Sequence, residues 1–137
     1  MILLDTCVVS EAMRPDPSPR VMDWIGTLPE HQVYLPVIVL GELKKGVDRL
    51  EEGTRRTALE LWLEQLRERF GRRIVAVDEE TAMTWGTLLA RLDREGRRMP
   101  AIDSLIAACA LKNDALLATR NTNDYAPSGI RLVDPWA

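Results

Sequence analysis

Residues 1–9 read MILLDTCVV: four apolar side chains in succession, then an aspartate and a threonine. A short apolar run stopped by a polar pair has the pattern of a strand covered on both faces, as strands of a parallel sheet are. Asp5 is the anomaly. A carboxylate closing a buried strand is costly unless hydrogen-bond donors or an opposite charge meet it. The chain must therefore supply Asp5 with a partner from elsewhere.

Working outward from residues 1–5, the pattern alternates. VVSEAMR reads as a short helix that closes at RPDPSP, where three prolines within five residues forbid helix, and PRVMDWIGTL resumes with Val21, Trp24, Ile25 and Leu28 on one face. HQVYLP is a second strand. Val39, Leu43, Val47 and Leu50 set a helix over 37–52, and after Gly53 the residues Leu59, Trp62, Leu63, Leu66 and Phe70 set another over 54–70. RRIVAVD is a third strand. Residues 79–96 form an amphipathic helix through Ala82, Trp85, Leu89 and Leu92, and residues 100–114 a further one with Pro100 in its first turn. ALLATRN is a fourth strand and GIRLVD a short fifth at an edge. Strands separated by helices, without hairpin signals, predict crossover connections and a parallel sheet of four to five strands in a layered α/β/α domain.

At 137 residues and 46% hydrophobic content the chain is sized for a single domain, 1–137, that folds without a disulfide or a structural metal. Cys7 and Cys109 form no CxxC pair and suit small buried side chains in a reducing compartment. A membrane span needs about 20 apolar residues; VYLPVIVL has eight and contains a proline. The start lacks the basic residues of a signal peptide, so a soluble cytoplasmic protein is expected. The net charge of −3 argues against a uniformly nucleic-acid-binding surface, yet Lys44, Lys45 and Arg49, and Arg91, Arg94, Arg97 and Arg98, make local basic patches. Each patch alone is also what a solvated helix face looks like.

In parallel α/β sheets the ligand site lies beyond the carboxyl ends of the strands. Asp5 ends the first strand, Glu42 follows the second, Asp103 stands in the first turn of the helix before the fourth, and Asp124 comes shortly after the fourth. Taken singly, Asp103 could merely cap its helix, Glu42 pair with Lys45 or Arg49, and Asp124 make a turn. Together they could converge. Two carboxylates about 4 Å apart repel by roughly 4 kcal/mol at an effective dielectric near 20, so such a cluster calls for a cation. Magnesium or manganese, hard ions that take oxygen ligands and keep several waters, fit best. Other schemes lack parts: His31 is the sole histidine, and no P-loop, GxGxxG or nucleophile elbow occurs.

MILLDTCVVSEAMRPDPSPRVMDW, LPVIVLGELKKGV, MPAIDSLIAACAL and LLATRNTNDY, in that order and spacing, resemble the PIN-domain ribonucleases, and among them the VapC-type toxins of bacterial toxin–antitoxin pairs. One departure is visible: the family usually carries Asn where this chain has Cys7. The resemblance implies a Mg2+- or Mn2+-dependent endoribonuclease whose acidic active site is Asp5, Glu42, Asp103 and Asp124. Asp5 and Asp103 are expected as the principal metal ligands, with Thr6, Ser104, Thr119 and Asn121 supplying hydrogen bonds around them. RNA phosphates are expected near Lys44, Lys45, Arg97, Arg98 and Arg120. The resemblance further implies a homodimer and a small VapB-like antitoxin whose tail occupies the active-site groove and lays a basic side chain near the acids. Leu40, Leu50, Leu61 and Trp62, more apolar positions than one helix stripe needs, are candidates to line that groove. The alternative is a non-catalytic PIN-like module that binds RNA or a protein.

Overall fold

Leu3 and Leu4 are both buried, and the strand they form, β1 (Ile2–Leu4), lies at the centre of a five-stranded sheet. The computed structural model describes all residues, 1–137. The other strands are β2 (Val33–Pro36), β3 (Ile74–Val75), β4 (Leu116–Ala118) and β5 (Leu132–Val133), in the spatial order β3-β2-β1-β4-β5. Every pairing is parallel; Ile2 stands opposite Val33 on one side and Leu116 on the other. The helices α1 (Thr6–Glu11), α2 (Pro19–Gly26), α3 (Val37–Asp48), α4 (Thr54–Phe70), α5 (Glu79–Glu95), α6 (Ala101–Asn113) and α7 (Thr122–Tyr125) flank the sheet. The expected α/β/α architecture is the observed one.

The strand order fixes where a site can form. From β1 the chain moves outward through β2 to β3, then returns to the other flank of β1 for β4 and moves outward again to β5. The loops leaving β1 and β4 thus diverge, and a crevice opens between their carboxyl ends. Thr119 and Asp5, each one residue past its strand, face this crevice. The ladder runs one bond beyond the strands, with the Asp5 N–H donating to the Ala118 carbonyl at 3.0 Å.

One cluster of 20 buried residues, among them Leu35, Val39, Leu43, Ile106 and Leu117, joins the sheet to its helices. Burying side chains of this size stabilises the fold by about 1.5–3 kcal/mol each, against the conformational entropy that ordering costs. Cys109 is fully buried and Cys7 partly so, and both are free thiols. No helix is long and apolar enough to cross a membrane.

Several boundaries differ from expectation. The third strand keeps only Ile74 and Val75 of residues 72–78, because residues 71–73 form a 3-10 turn in which the Arg73 guanidinium bonds the carbonyls of Val33 and Arg69. The second strand likewise starts at Val33 after a 3-10 turn over Glu30–Gln32. Helix α3 stops at Asp48, four residues short of 52. On α5 the buried positions are Thr81, Leu88 and Leu92, whereas Ala82 is exposed. Asp78 decides this phase: its Oδ1 accepts from both the N–H and the hydroxyl of Thr81, which fixes Thr81 on the inner side at the helix start. Helix α7 has no counterpart in the sequence reading, since four residues are too few to show a period.

Candidate functional site

Asp5 has φ −73° and ψ 161°, an extended residue that serves as N-cap of α1. Its Oδ1 accepts from the Thr6 N–H at 2.8 Å, and its Oδ2 accepts from the Thr119 hydroxyl at 2.7 Å across the crevice. The side chain is 4% exposed. These are the partners the opening stretch demanded, and they are donors, not charges. Thr6 serves two acids at once, because its hydroxyl donates to Glu42 Oε1 at 2.6 Å. Glu42 is thereby held on the inner side of α3, half-buried beside the end of β1.

Asp103 enters from the first turn of α6, and Asp124 from α7. The Asp103 carboxyl is pushed up from its ordinary 3.8 to about 6, first by burial and next by the charge of Asp5; Asp124 and Glu42 add to this, and a hydrogen bond from Tyr125 opposes it. Carboxylates contributed by three other elements therefore all bear on Asp103 at the crevice. Asp124 is exposed, on the outer lip, with its N–H bonded to the Asn121 carbonyl at 3.0 Å. None of the chain's ion pairs involves Asp5, Glu42, Asp103 or Asp124.

An uncompensated set of hard oxygen donors is the environment a Mg2+- or Mn2+-sized cation requires. No three of the acidic, histidine or cysteine side chains approach closely enough to cage an ion by themselves. Magnesium commonly binds through one or two carboxylates and retains several waters, so it does not need such a cage.

Residues 2–126 match the PIN domain family. The chain belongs to that family. It is similar to the toxin FitB of Neisseria gonorrhoeae, 36% identical over 99% of each chain, and to the VapC ribonuclease Y4jK of Sinorhizobium fredii, 30% identical over 99% of this chain and 98% of the other. The crystal structure of FitAcB from Neisseria gonorrhoeae superposes with a TM-score of 0.94 at 36% identity, covering 99% of both chains.

Around the acids of this PIN domain the remaining candidates divide. Thr6 and Thr119 donate to Glu42 and Asp5 as described. Asn121 takes part only through its backbone N–H, which donates to Thr119 Oγ1 at 3.0 Å, while its side chain is exposed. Ser104 is a correction: its hydroxyl accepts from the Trp85 indole N–H at 2.9 Å and donates to the Ala101 carbonyl at 2.6 Å, so it ties α5 to α6 and serves no acid. Lys44 is another. It pairs with Asp48 at 3.0 Å in the groove between α3 and α4, two residues and so about 200° of helix away from Glu42. Lys45, one turn after Glu42, is exposed on the same side. Arg97 and Arg98 are exposed in the short connection that leads into α6 and Asp103. Arg120 follows Thr119 directly, its N–H donates to Cys7 Sγ, and its guanidinium lies over the Trp136 ring at 5.1 Å from the centroid.

The anticipated groove residues do not share one surface. Leu40 borders the α3–α4 groove, Trp62 borders a separate one, and Leu61 is 60% exposed. That second groove, between α1, α2 and α4, is lined by Val9, Met22, Ile25, Leu28, Trp62 and Leu66. Sequence reasoning also missed the parts played by Glu11, Cys7 and Tyr125. Glu11 is 4% exposed and pins the proline-rich loop by accepting from the Ser18 N–H at 2.8 Å and from Arg14. Cys7 Sγ lies 3.8 Å from Asp5 Oδ2 and 3.7 Å from Thr119 Oγ1. Tyr125 reaches Asp103. The only signal for the last was an aromatic side chain set among polar residues in NTNDY.

Proposed function

We propose that this PIN domain is a divalent-metal-dependent endoribonuclease and the toxin of a toxin–antitoxin pair. The observation that carries the proposal is the gathering of Asp5, Glu42, Asp103 and Asp124 from four elements at the crevice of the sheet, none of them in an ion pair and the other three all near enough to act on Asp103. The similarity to FitB and to a VapC ribonuclease supports the same reading. Asp5 and Asp103 would hold a Mg2+ or Mn2+ ion, directly or through water, with Glu42 and Asp124 orienting the waters about it. When bound, the ion acidifies a coordinated water and offsets charge developing on the phosphate. The chain's own contribution is orientation. Thr6 and Thr119 fix both Asp5 oxygens, and Thr6 fixes Glu42, so that the carboxylates need not reorganise as charge develops.

Incubating the purified chain with total RNA and Mg2+ or Mn2+ tests this. Cleavage is expected with metal, and none is expected with chelator present. Cleavage that persists in chelator would sink the metal mechanism. RNA that is retained but never cut under any metal condition would favour the binding module instead.

The RNA backbone would run past Arg97 and Arg98 at the entrance to α6 and past Arg120, whose guanidinium, stacked on Trp136, offers a flat cationic face to an unpaired base. Replacing Arg97 and Arg98 by alanine is expected to weaken RNA binding and to lower the slope of log K against log salt by about 1–2. An unchanged slope would mean the phosphates pass elsewhere. An antitoxin tail would seat its apolar face in the α1–α2–α4 groove, whose lining suits an amphipathic helix. The homodimer belongs to the same proposal, and sedimentation of the purified chain tests it.

A further inference from the structure

We infer that Tyr125 is a positioning residue of the acidic site, its buried hydroxyl holding the Asp103 carboxylate in the orientation that receives the cation; this rests on the divalent-ion reading above. The Tyr125 side chain is 0% exposed and belongs to the central core cluster. For filling that space a phenylalanine ring would do as well. The hydroxyl is what needs a reason, since a buried phenol O–H must find an acceptor. It finds Asp103 Oδ1, at 3.2 Å, with the Asp5 carboxylate close by as well.

That bond is the sole hydrogen bond the protein makes to the Asp103 side chain, and it engages Oδ1 while leaving Oδ2 without a protein partner. The pattern repeats through the site. Thr6 and Thr119 hold Asp5, Thr6 holds Glu42, and Tyr125 holds Asp103, so each of the three inner acids meets at least one donor. Asp103 needs one most. It is half-buried at the lip, its terminal torsion is soft, and Asp5, Glu42 and Asp124 all push its charge toward solvent. Without the phenol, the carboxylate would be free to swing outward, and the ion would have to draw it back.

Burial and the flanking charges of Asp5 and Asp103 push the Tyr125 hydroxyl far above its ordinary range, so it stays protonated and donates at every working pH. It is neither an acid, a base nor a nucleophile here. Its neighbour Asp124 lies at the outer lip, so α7 presents one residue to the core and the next to the site.

Tyr125→Phe isolates the hydroxyl, because it keeps the ring and its packing. Binding of Mn2+ to the purified wild type, Tyr125→Phe and Asp103→Asn is followed by the electron paramagnetic resonance signal of the free ion, alongside thermal unfolding of the metal-free proteins. The expected result is an Mn2+ Kd about tenfold higher for Tyr125→Phe, in the range typical of partners that orient metal ligands, with a Tm within about 2 °C of wild type. A Kd within twofold of wild type overturns the inference, as does a loss of affinity that comes only with a Tm lower by about 5 °C or more. Wild type that binds no Mn2+, or binds it as well after Asp103→Asn, overturns the divalent-ion reading itself and the inference with it.

Discussion

Asp103→Asn is expected to abolish RNA cleavage and, at the same time, to raise the melting temperature of the metal-free protein. The two effects have one cause. In the folded chain Asp103 titrates near 6 instead of 3.8, because burial and the charges of Asp5, Asp124 and Glu42 disfavour its ionised form. A folded-state pKa above the unfolded one means that folding takes up a proton between those values. Stability thus falls as pH rises from about 4 to about 6, and the full cost is present at pH 7. Two pKa units would bound that cost near 3 kcal/mol, but the side chain is only partly buried, and solvent screening brings it to about 1 kcal/mol. Asparagine keeps the acceptor for Tyr125 and removes the charge. The variant should melt about 3 °C higher than wild type at pH 7.5 without metal, and the gap should close as pH is lowered to 4. Adding Mg2+ or Mn2+ should reverse the order, since an ion that binds only the folded wild type stabilises it by mass action. Melting curves at several pH values, with and without metal, test every part. A variant that is less stable than wild type at pH 7.5 without metal would show Asp103 to be a structural cap.

The sheet was legible because its strands are buried on both faces. MILL, VYLP and ALLA carry no polar alternation, and the amphipathic segments between them leave few arrangements other than crossovers. What sequence could not supply was strand length at the edges. Ile74–Val75 is cut short where Arg73 bonds the carbonyls of Val33 in β2 and Arg69 in α4, and the first of these lies 40 residues away in the chain. The acids were legible to different degrees: Asp5 ends an apolar run where a charge has no local excuse, whereas Glu42, Asp103 and Asp124 stood out only together, by their places past the strands. Their donors were less so. Thr119 could be anticipated because it leaves β4 beside β1, whereas Tyr125 depends on a four-residue helix with no periodic signature. Ser104 misled because adjacency to Asp103 along the chain is not adjacency of side chains; about 100° of helix separates them, and that rotation turns Ser104 toward Trp85.

Substitutions at Asp5 should separate its two duties, and the order of stabilities is the test. As N-cap of α1 it satisfies the Thr6 N–H, and as partner of Thr119 it satisfies a hydroxyl on a fully buried residue. Asp5→Ala removes both acceptors. Losing the cap costs about 1 kcal/mol, and leaving the Thr119 hydroxyl short of its acceptor adds about 1 more. Relief of repulsion with Asp103 returns part of this, leaving a net loss of about 1–2 kcal/mol, or some 4 °C in Tm. Asp5→Asn behaves differently. Its Oδ1 still caps Thr6, its amide N–H can donate to a rotated Thr119 hydroxyl, and the repulsion is gone, so the metal-free variant should melt at or above wild type. Both substitutions should lower cleavage by on the order of a thousandfold, because neither leaves an anionic oxygen beside Asp103. Equal stability of the alanine and asparagine variants would rule out the capping role, and retained cleavage in Asp5→Asn the catalytic one. If both duties hold, the end of the central strand, the start of α1 and the inner wall of the acidic site all meet at one carboxylate, and this is why the opening apolar run stops at Asp5.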